Sequence, residues 1–177
     1  MKLALFLSVA LPALALGPAL GTHAPDFTLK NLKGDAVRLV AETAKGPVVL
    51  VLLRGFPGYQ CPLCTRQVKE LANHAAAFSS AKARVLFVYP GPAAIVQAKA
   101  QEFTADKGLA ALFEMLLDPD YAFTNLYGLR WDAPKETSYP STFVLDKTGT
   151  IVYAKVSTTH GDRAPVKEIL SALASLQ

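Results

Sequence analysis

Apolar positions in this chain fall into short runs separated by glycine, proline and aspartate, and their spacing changes along the sequence. Phe27, Leu29 and Leu32 lead into Lys33-Gly34-Asp35, and Val37, Leu39 and Val40 follow, the pattern of two strands joined by a glycine turn. After Lys45-Gly46-Pro47, the stretch Val48 to Leu53 is continuously apolar, as in a strand buried on both faces. A loop of residues 54–60 comes next. From Thr65 to Phe78 the spacing turns helical, with Val68, Leu71, Ala75 and Phe78 three or four apart. Val85 to Val88 predicts a second buried strand closed by Pro90-Gly91-Pro92, and Ala93 to Lys107 a helix. Leu112 to Leu117 reads as a short strand ending at Asp118-Pro119-Asp120, and Tyr121 to Leu129 as a short helix. Thr142 to Leu145 and Ile151 to Val156 flank the turn Asp146-Lys147-Thr148-Gly149. Pro165 to Leu176 closes the chain as a helix, with proline suited to its first turn. Strands and helices alternate through the middle, which demands a largely parallel centre, and the final hairpin adds antiparallel strands. The expected class is α/β: a central mixed β-sheet flanked by helices, with an N-terminal β-hairpin.

The first residues obey a different rule. Lys2 precedes a stretch from Leu3 to Gly21 without charge, rich in Ala and Leu and broken by Pro12 and Pro18. A spanning helix needs about 20 apolar residues, and this run barely reaches that while carrying a proline inside it. A short positive start, an apolar middle and small residues at Ala19 and Gly21 read as a secretory signal over residues 1–21, with Ala13-Leu14-Ala15 a second place to cut. The domain then spans residues 22–177. The expected location of the mature chain is exported, periplasmic or otherwise extracytoplasmic, without stable membrane insertion and in an oxidising space. With 177 residues, a 51% hydrophobic fraction and only 18% charged residues, the chain has material for one folded core and is not disordered by composition. Eighteen Lys and Arg against fourteen Asp and Glu leave +4, with no basic cluster, so no nucleic-acid footprint is present.

The chemistry concentrates in Cys61-Pro62-Leu63-Cys64, directly after a buried strand and at the start of a helix. Three residues apart at a helix start, the two side chains share one face. Helix starts expose unpaired N–H groups and the positive end of the dipole, and both stabilise a thiolate. Three other readings compete with a redox pair. A disulfide across so small a ring stabilises by only about 2 kcal/mol, against roughly 3 for a 15-residue loop, so it is a poor staple. A zinc site wants four ligands, and only His23, His74 and His160 remain as nitrogen donors, none adjacent. Two buried, inert thiols are the third.

Several stretches, taken in order, resemble one family. They are Ala24-Pro25-Asp26-Phe27-Thr28-Leu29, the strand Val48 to Leu53, and Pro57-x3-Cys61-x2-Cys64-Thr65. They continue with Leu117-Asp118-Pro119-Asp120, Tyr127-Gly128 and Thr142-Phe143-Val144-Leu145-Asp146-Lys147-Thr148-Gly149. Nearly all of the chain after the leader resembles the peroxiredoxin-like (alkyl hydroperoxide reductase/thiol-specific antioxidant, redoxin) branch of the thioredoxin-like superfamily. The resemblance implies a thioredoxin-like fold and an oxidoreductase that needs no cofactor or metal. It sets Cys64 at the peroxide-attacking position and Cys61 where the family carries Thr or Ser, whose hydroxyl helps hold the peroxide; the Cys61 thiol is a weaker donor there. The family's arginine before the Thr-Phe strand is also missing: Pro140 stands near that point. Arg54, Arg66 and Arg130 are the candidate replacements. Tyr139-Pro140-Ser141-Thr142 resembles instead the cis-proline segment that faces the CxxC of thioredoxins.

Two mechanisms follow. Cys64 attacks a peroxide and Cys61 resolves the sulfenic acid as a disulfide, reopened by an external thiol reductant. Alternatively Cys61 attacks a disulfide in another protein and Cys64 resolves the mixed disulfide. The first is the leading expectation. A copper-handling module using Cys61, Cys64 and His160 is a rival of a different class. Phe56 and Tyr59 flank the cysteines and are candidates for excluding water, and Trp131 for lining a surface near Pro140.

Overall fold

The computed structural model describes residues 16–177; the N-terminal part of the expected leader, residues 1–15, lies outside them. The strands are β1 (Thr28–Asn31), β2 (Ala36–Arg38), β3 (Val48–Leu52), β4 (Arg84–Gly91), β5 (Phe113–Pro119), β6 (Ser141–Leu145) and β7 (Ile151–Val156). The helices are α1 (Leu39–Thr43), α2 (Pro62–Asn73), α3 (Ala75–Ser80), α4 (Val96–Thr104), α5 (Ala122–Leu126) and α6 (Val166–Ala174). The strands form one sheet in the order β2-β1-β5-β4-β3-β6-β7. β3, β4 and β5 run parallel, and the outer pairings are antiparallel. This is the expected mixed sheet with its N-terminal hairpin.

The continuous apolar runs have the predicted cause. Val49, Val51 and Leu53 face one core with Val68 and Leu71 of α2, Phe103 of α4 and Ile169 of α6. Val48, Leu50 and Leu52 face the other, with Phe123 of α5 and Phe27, Tyr127 and Phe143. A strand with cores on both sides has no polar alternation to show. At the hairpin, Asn31 Oδ1 accepts from the Lys33 and Asp35 amides, and Gly34 takes the positive φ of 92° that the turn needs.

Four boundaries differ from expectation. Leu39 and Val40, expected in the second strand of the hairpin, begin α1 instead; the Asp26 carboxylate accepts from the Val40 amide and Leu39 N–H is spent on Phe27 O. The helix expected from Thr65 to Phe78 starts at Pro62 and breaks at His74, whose ring nitrogen bonds Glu70 O and whose amide reaches back only three residues to Leu71 O. β4 continues through Pro90 and Gly91, because a missing proline donor does not stop these residues pairing with Asp118 and Pro119 of β5. α4 begins three residues later than Ala93, whose amide is taken by Asp120 Oδ1. Asp118 is fully buried: its carboxylate accepts from the Phe123 and Thr124 amides and the Thr124 hydroxyl, so the Leu117–Asp120 motif caps α5.

The expected boundary between residues 21 and 22 falls inside a segment that lies on the domain. Gly21 N–H donates to Ile151 O, Ile151 N–H to Thr22 O, and Ala24 N–H to Gly149 O. Gly17 lies over Leu129, Val156 and Phe143; a side chain there would meet them at 3.1–3.6 Å. No helix among the described residues is long and apolar enough to cross a membrane.

The loop after β3 crosses the end of β4 closely enough to demand a glycine. Gly55 has φ +68°, and a Cβ at this position would sit 2.1 Å from Pro90 O. Gly55→Ala is therefore expected to cost about 3 kcal/mol or more, read as a lower denaturation midpoint at unchanged slope.

Candidate active site

The chain leaves β3 extended, turns through residues 55–60 and enters α2 with Cys61 at the N-cap and Pro62 in the first turn. Thr65 N–H closes the first helical bond onto Cys61 O at 3.0 Å. The Cys61 sulfur stands where a Ser or Asp oxygen commonly caps a helix. It makes no side-chain capping hydrogen bond, but it lies at the positive end of the helix, beside the amides of Leu63 and Cys64. Cys64, one turn on, points into the core. Both are free thiols, with Cys61 2% and Cys64 1% exposed.

One negative charge is shared unequally between them. A hydrogen bond from the Cys64 thiol stabilises the Cys61 thiolate; burial opposes it, and the Cys64 amide, the Arg163 charge and the Leu63 amide add to it, bringing Cys61 down to about 5. Burial pushes the Cys64 thiol up, well above its ordinary value, and its bond to Cys61 adds to this; Arg163 and the Arg54 amide pull the other way. These influences favour charge on Cys61, the outer sulfur at the helix start, over the buried Cys64, whereas the sequence-based expectation has Cys64 attack first.

Three loops meet at this end of the sheet. From the end of β3, Arg54 N–H donates to Cys64 Sγ at 3.3 Å. From the β7–α6 loop, Arg163 Nη2 lies 3.7 Å from Cys64 Sγ, while its Nε and Nη1 are buried with no partner among the described residues. From the loop before β6, Glu136 accepts from Arg54 Nε at 2.9 Å. The Thr137 hydroxyl donates to Arg54 O, and the Ser138 hydroxyl to Leu53 O at 2.8 Å.

The AhpC/TSA family profile matches residues 20–154. The chain belongs to the AhpC/TSA family. It is an oxidoreductase whose redox function rests on its cysteine pair. Solved structures share its thioredoxin-like fold. The peroxidoxin BcpB of Mycobacterium tuberculosis is 21% identical, with 89% of this chain and 97% of that one covered and a TM-score of 0.75. A yeast mitochondrial 1-Cys peroxiredoxin is 18% identical, covering 90% and 76%, with a TM-score of 0.71. A putative thiol:disulfide interchange protein DsbE of Chlorobium tepidum is 22% identical, covering 88% and 98%, with a TM-score of 0.66. No curated protein matches by sequence.

Within this AhpC/TSA site, the expected residues divide. Arg54 contributes its amide to the sulfur, but its guanidinium turns away, to Glu136, to the Tyr59 hydroxyl at 2.6 Å and to Lys135 O at 2.9 Å. Burial works against the Arg54 charge, and Glu136 and Tyr59 more than restore it. Tyr59 is half exposed and carries the Arg54 cation over its ring, so it braces the loop at the mouth. Pro57 is half-buried in the same loop, and Phe56 beside it lies under Lys99 Nζ at 4.5 Å. Arg66 is exposed on α2 and takes no part. Arg130 braces the loop before β6 through Trp131 O, Glu136 O and Thr137 O. Pro140 is buried and register places it beside Leu53, yet its peptide bond is trans. The extended approach to β6 needs no turn: Tyr139 N–H bonds Leu129 O and Pro140 O accepts from Ser157 N–H, so the ordinary trans preference stands. Trp131 stacks on Tyr139 at 4.7 Å. His160 bonds Glu136 Oε1, and no three His, Cys, Asp or Glu converge among the described residues, which leaves the copper reading without a third ligand.

Sequence reasoning missed Arg163 and Glu136. The signal for both was topological. β6 runs antiparallel to β3 and β7 antiparallel to β6, so the start of β6 and the end of β7 both lie at the end of β3 that feeds the cysteines.

Alkylation of the reduced protein tests the charge assignment. Cys61 is expected to react with iodoacetamide at a rate that levels off above about pH 6, where a free thiol would still be gaining thiolate up to pH ~9. Cys64→Ala is expected to move this profile upward, since it removes the hydrogen-bond donor.

Proposed function

We propose that this AhpC/TSA protein is an exported peroxide reductase in which Cys61 attacks and Cys64 resolves. Arg163 carries the reading: a guanidinium beside the sulfurs with two buried, unpartnered N–H groups. Such donors suit the developing charge on a peroxide's leaving oxygen. The sulfurs are nearly closed off, which favours a small substrate over a folded protein. In the first step the Cys61 thiolate attacks one peroxide oxygen and the O–O bond breaks. Cys61 becomes a sulfenic acid, and the departing alkoxide or hydroxide takes a proton. The Cys64 thiol then loses its proton and attacks the Cys61 sulfur; hydroxide leaves as water and a disulfide forms. An external dithiol, or two thiols, reduces this disulfide and returns two protons to the pair. The peroxidoxin and peroxiredoxin neighbours support this assignment by likeness of fold.

A second reading, thiol–disulfide exchange with a partner protein, is favoured by the low outer and high inner cysteine, the asymmetry that exchange requires. It shares fold with the DsbE-like neighbour.

Export is part of the proposal. The packing of Gly17 and the bonds of Gly21 support a cut after Ala13-Leu14-Ala15 rather than after Gly21, because the later cut would strip Gly17 from Leu129 and Phe143.

Two experiments follow. Reduced protein should consume hydrogen peroxide; Cys61→Ser should abolish this, Cys64→Ser should accumulate a sulfenic acid on Cys61, and Arg163→Gln should slow the oxidation about a hundredfold. Inertness to peroxide, with mixed disulfides to other proteins trapped by Cys64→Ser, would hand the assignment to thiol–disulfide exchange. For export, secretion of the full chain followed by N-terminal sequencing should give Leu16. A first residue of Thr22, or an uncut chain, would defeat this part.

A further inference from the structure

Among the described residues, the two N–H donors on Cys64 Sγ, from Arg54 and Arg163, trace back to one carboxylate. Glu136 has a side chain only 12% exposed, and each of its oxygens is engaged. Oε2 accepts from Arg54 Nε and Oε1 from His160 Nε2, both at 2.9 Å. The first arm fixes the end of β3. Arg54 is 3% exposed, and with its guanidinium held by Glu136, Tyr59 and Lys135 O and its carbonyl by Thr137, its amide is left aimed at Cys64. The second arm fixes the β7–α6 loop, where His160 lies three residues before Arg163. That loop is drawn in further by the Ser157 hydroxyl on Asp162 O and by Lys155 on Asp162 at 2.8 Å. Trp131, 5.2 Å from His160 and stacked on Tyr139, backs the imidazole.

We propose that Glu136 is the positioning residue for the resolving thiol, holding the Arg54 amide and the Arg163 guanidinium on Cys64 at the same time. Glu136 touches neither sulfur among the contacts of the site and acts through the two loops it joins. The role follows from the needs of the inner sulfur. Cys61 sits at the N-cap of α2, at the positive end of the helix, and that support does not pass through Glu136. Cys64 is enclosed by the core and, among the described residues, has only these two donors from outside α2 to support a negative charge at the moment it attacks. With a disulfide reagent, whose first attack has no peroxide oxygen for Arg163 to serve, loosening them should therefore slow the second step and spare the first. This rests on the redox pair but not on the identity of the natural oxidant.

A small aromatic disulfide, dipyridyl disulfide, reads the two steps separately. The Cys61 thiolate breaks the reagent's S–S bond, forms a mixed disulfide and releases one pyridinethione. Cys64, after giving its proton to solvent, attacks the Cys61 sulfur, closes the Cys61–Cys64 disulfide and releases the second. Glu136→Gln keeps the shape and removes the charge; the second release is expected to slow about tenfold, with the first changed by less than about twofold. His160→Leu, which cuts only the arm to Arg163, is expected to slow the second release about threefold and serves if the Glu136 variant does not fold. Any other pattern overturns the role: both releases slowed alike, neither slowed, or only the first slowed. A wild-type protein that releases neither equivalent removes the redox pair and this role with it. Inertness to peroxide leaves the assay unaffected, so failure of the peroxidase reading and failure of this one are distinct results.

Discussion

Everything in this site depends on the start of α2 and the sulfur placed beside it. A helix that begins after Cys61 leaves N–H groups without helical partners, and their positive end favours charge on the Cys61 sulfur. The Cys64 thiol, one turn along, supplies a further donor. Charge is thus favoured on the outer sulfur, while burial first, and the bond to Cys61 after it, favour the proton on the inner one. The neighbouring architecture serves this start point. Gly55 lets the incoming loop pass against Pro90, Pro62 gives up a donor the first turn does not use, and β3 delivers the Arg54 amide to the inner sulfur.

The division of labour between the sulfurs follows from depth. Burial alone penalises charge on both, and only the outer one has enough donors to overcome it. A pair with both thiols low would hold two like charges in contact, and a pair with both high would have no nucleophile at neutral pH. The asymmetric pair avoids each failure, but it makes the inner sulfur dependent on help at the moment it must ionise. That help arrives from loops distant in sequence, because two successive antiparallel pairings bring the start of β6 and the end of β7 to the same edge.

This explains which parts of the molecule were legible in the chain. Val48 to Leu53 and Val85 to Val88 announce buried strands because both faces carry apolar partners. Cys61-Pro62-Leu63-Cys64 announces its chemistry because helix starts have a fixed electrostatic character. The role of each sulfur was not legible, since depth depends on what packs over the helix. Nothing local in the sequence marks Arg163; the sheet order brings it to Cys64. Arg54 and Arg66 stood nearer in sequence, yet one turns its side chain to Glu136 and the other faces outward along α2. Leu39 and Val40 continued an apolar pattern, and a distant carboxylate, Asp26, decided that they begin a helix. At Pro140 a sequence likeness suggested a cis bond, and the hydrogen bonds on either side are met by an extended trans chain.

The placement of the buried ion pair has a reason of its own. Arg54 and Glu136 neutralise each other beneath the loops, so they add rigidity without adding net charge near the sulfurs. Had the carboxylate faced the cysteines, it would have raised the cost of any thiolate; had Arg54 faced them unpaired, the pocket would have held two cations for one anion. Arg163 has no carboxylate partner among the described residues and is left as the cation that the sulfurs feel. Its free N–H groups are affordable only while the loop that carries it is pinned, because a mobile guanidinium would turn to water and satisfy them there. A buried pair that contributes little to stability can thus set the direction of the one charge that matters to the chemistry.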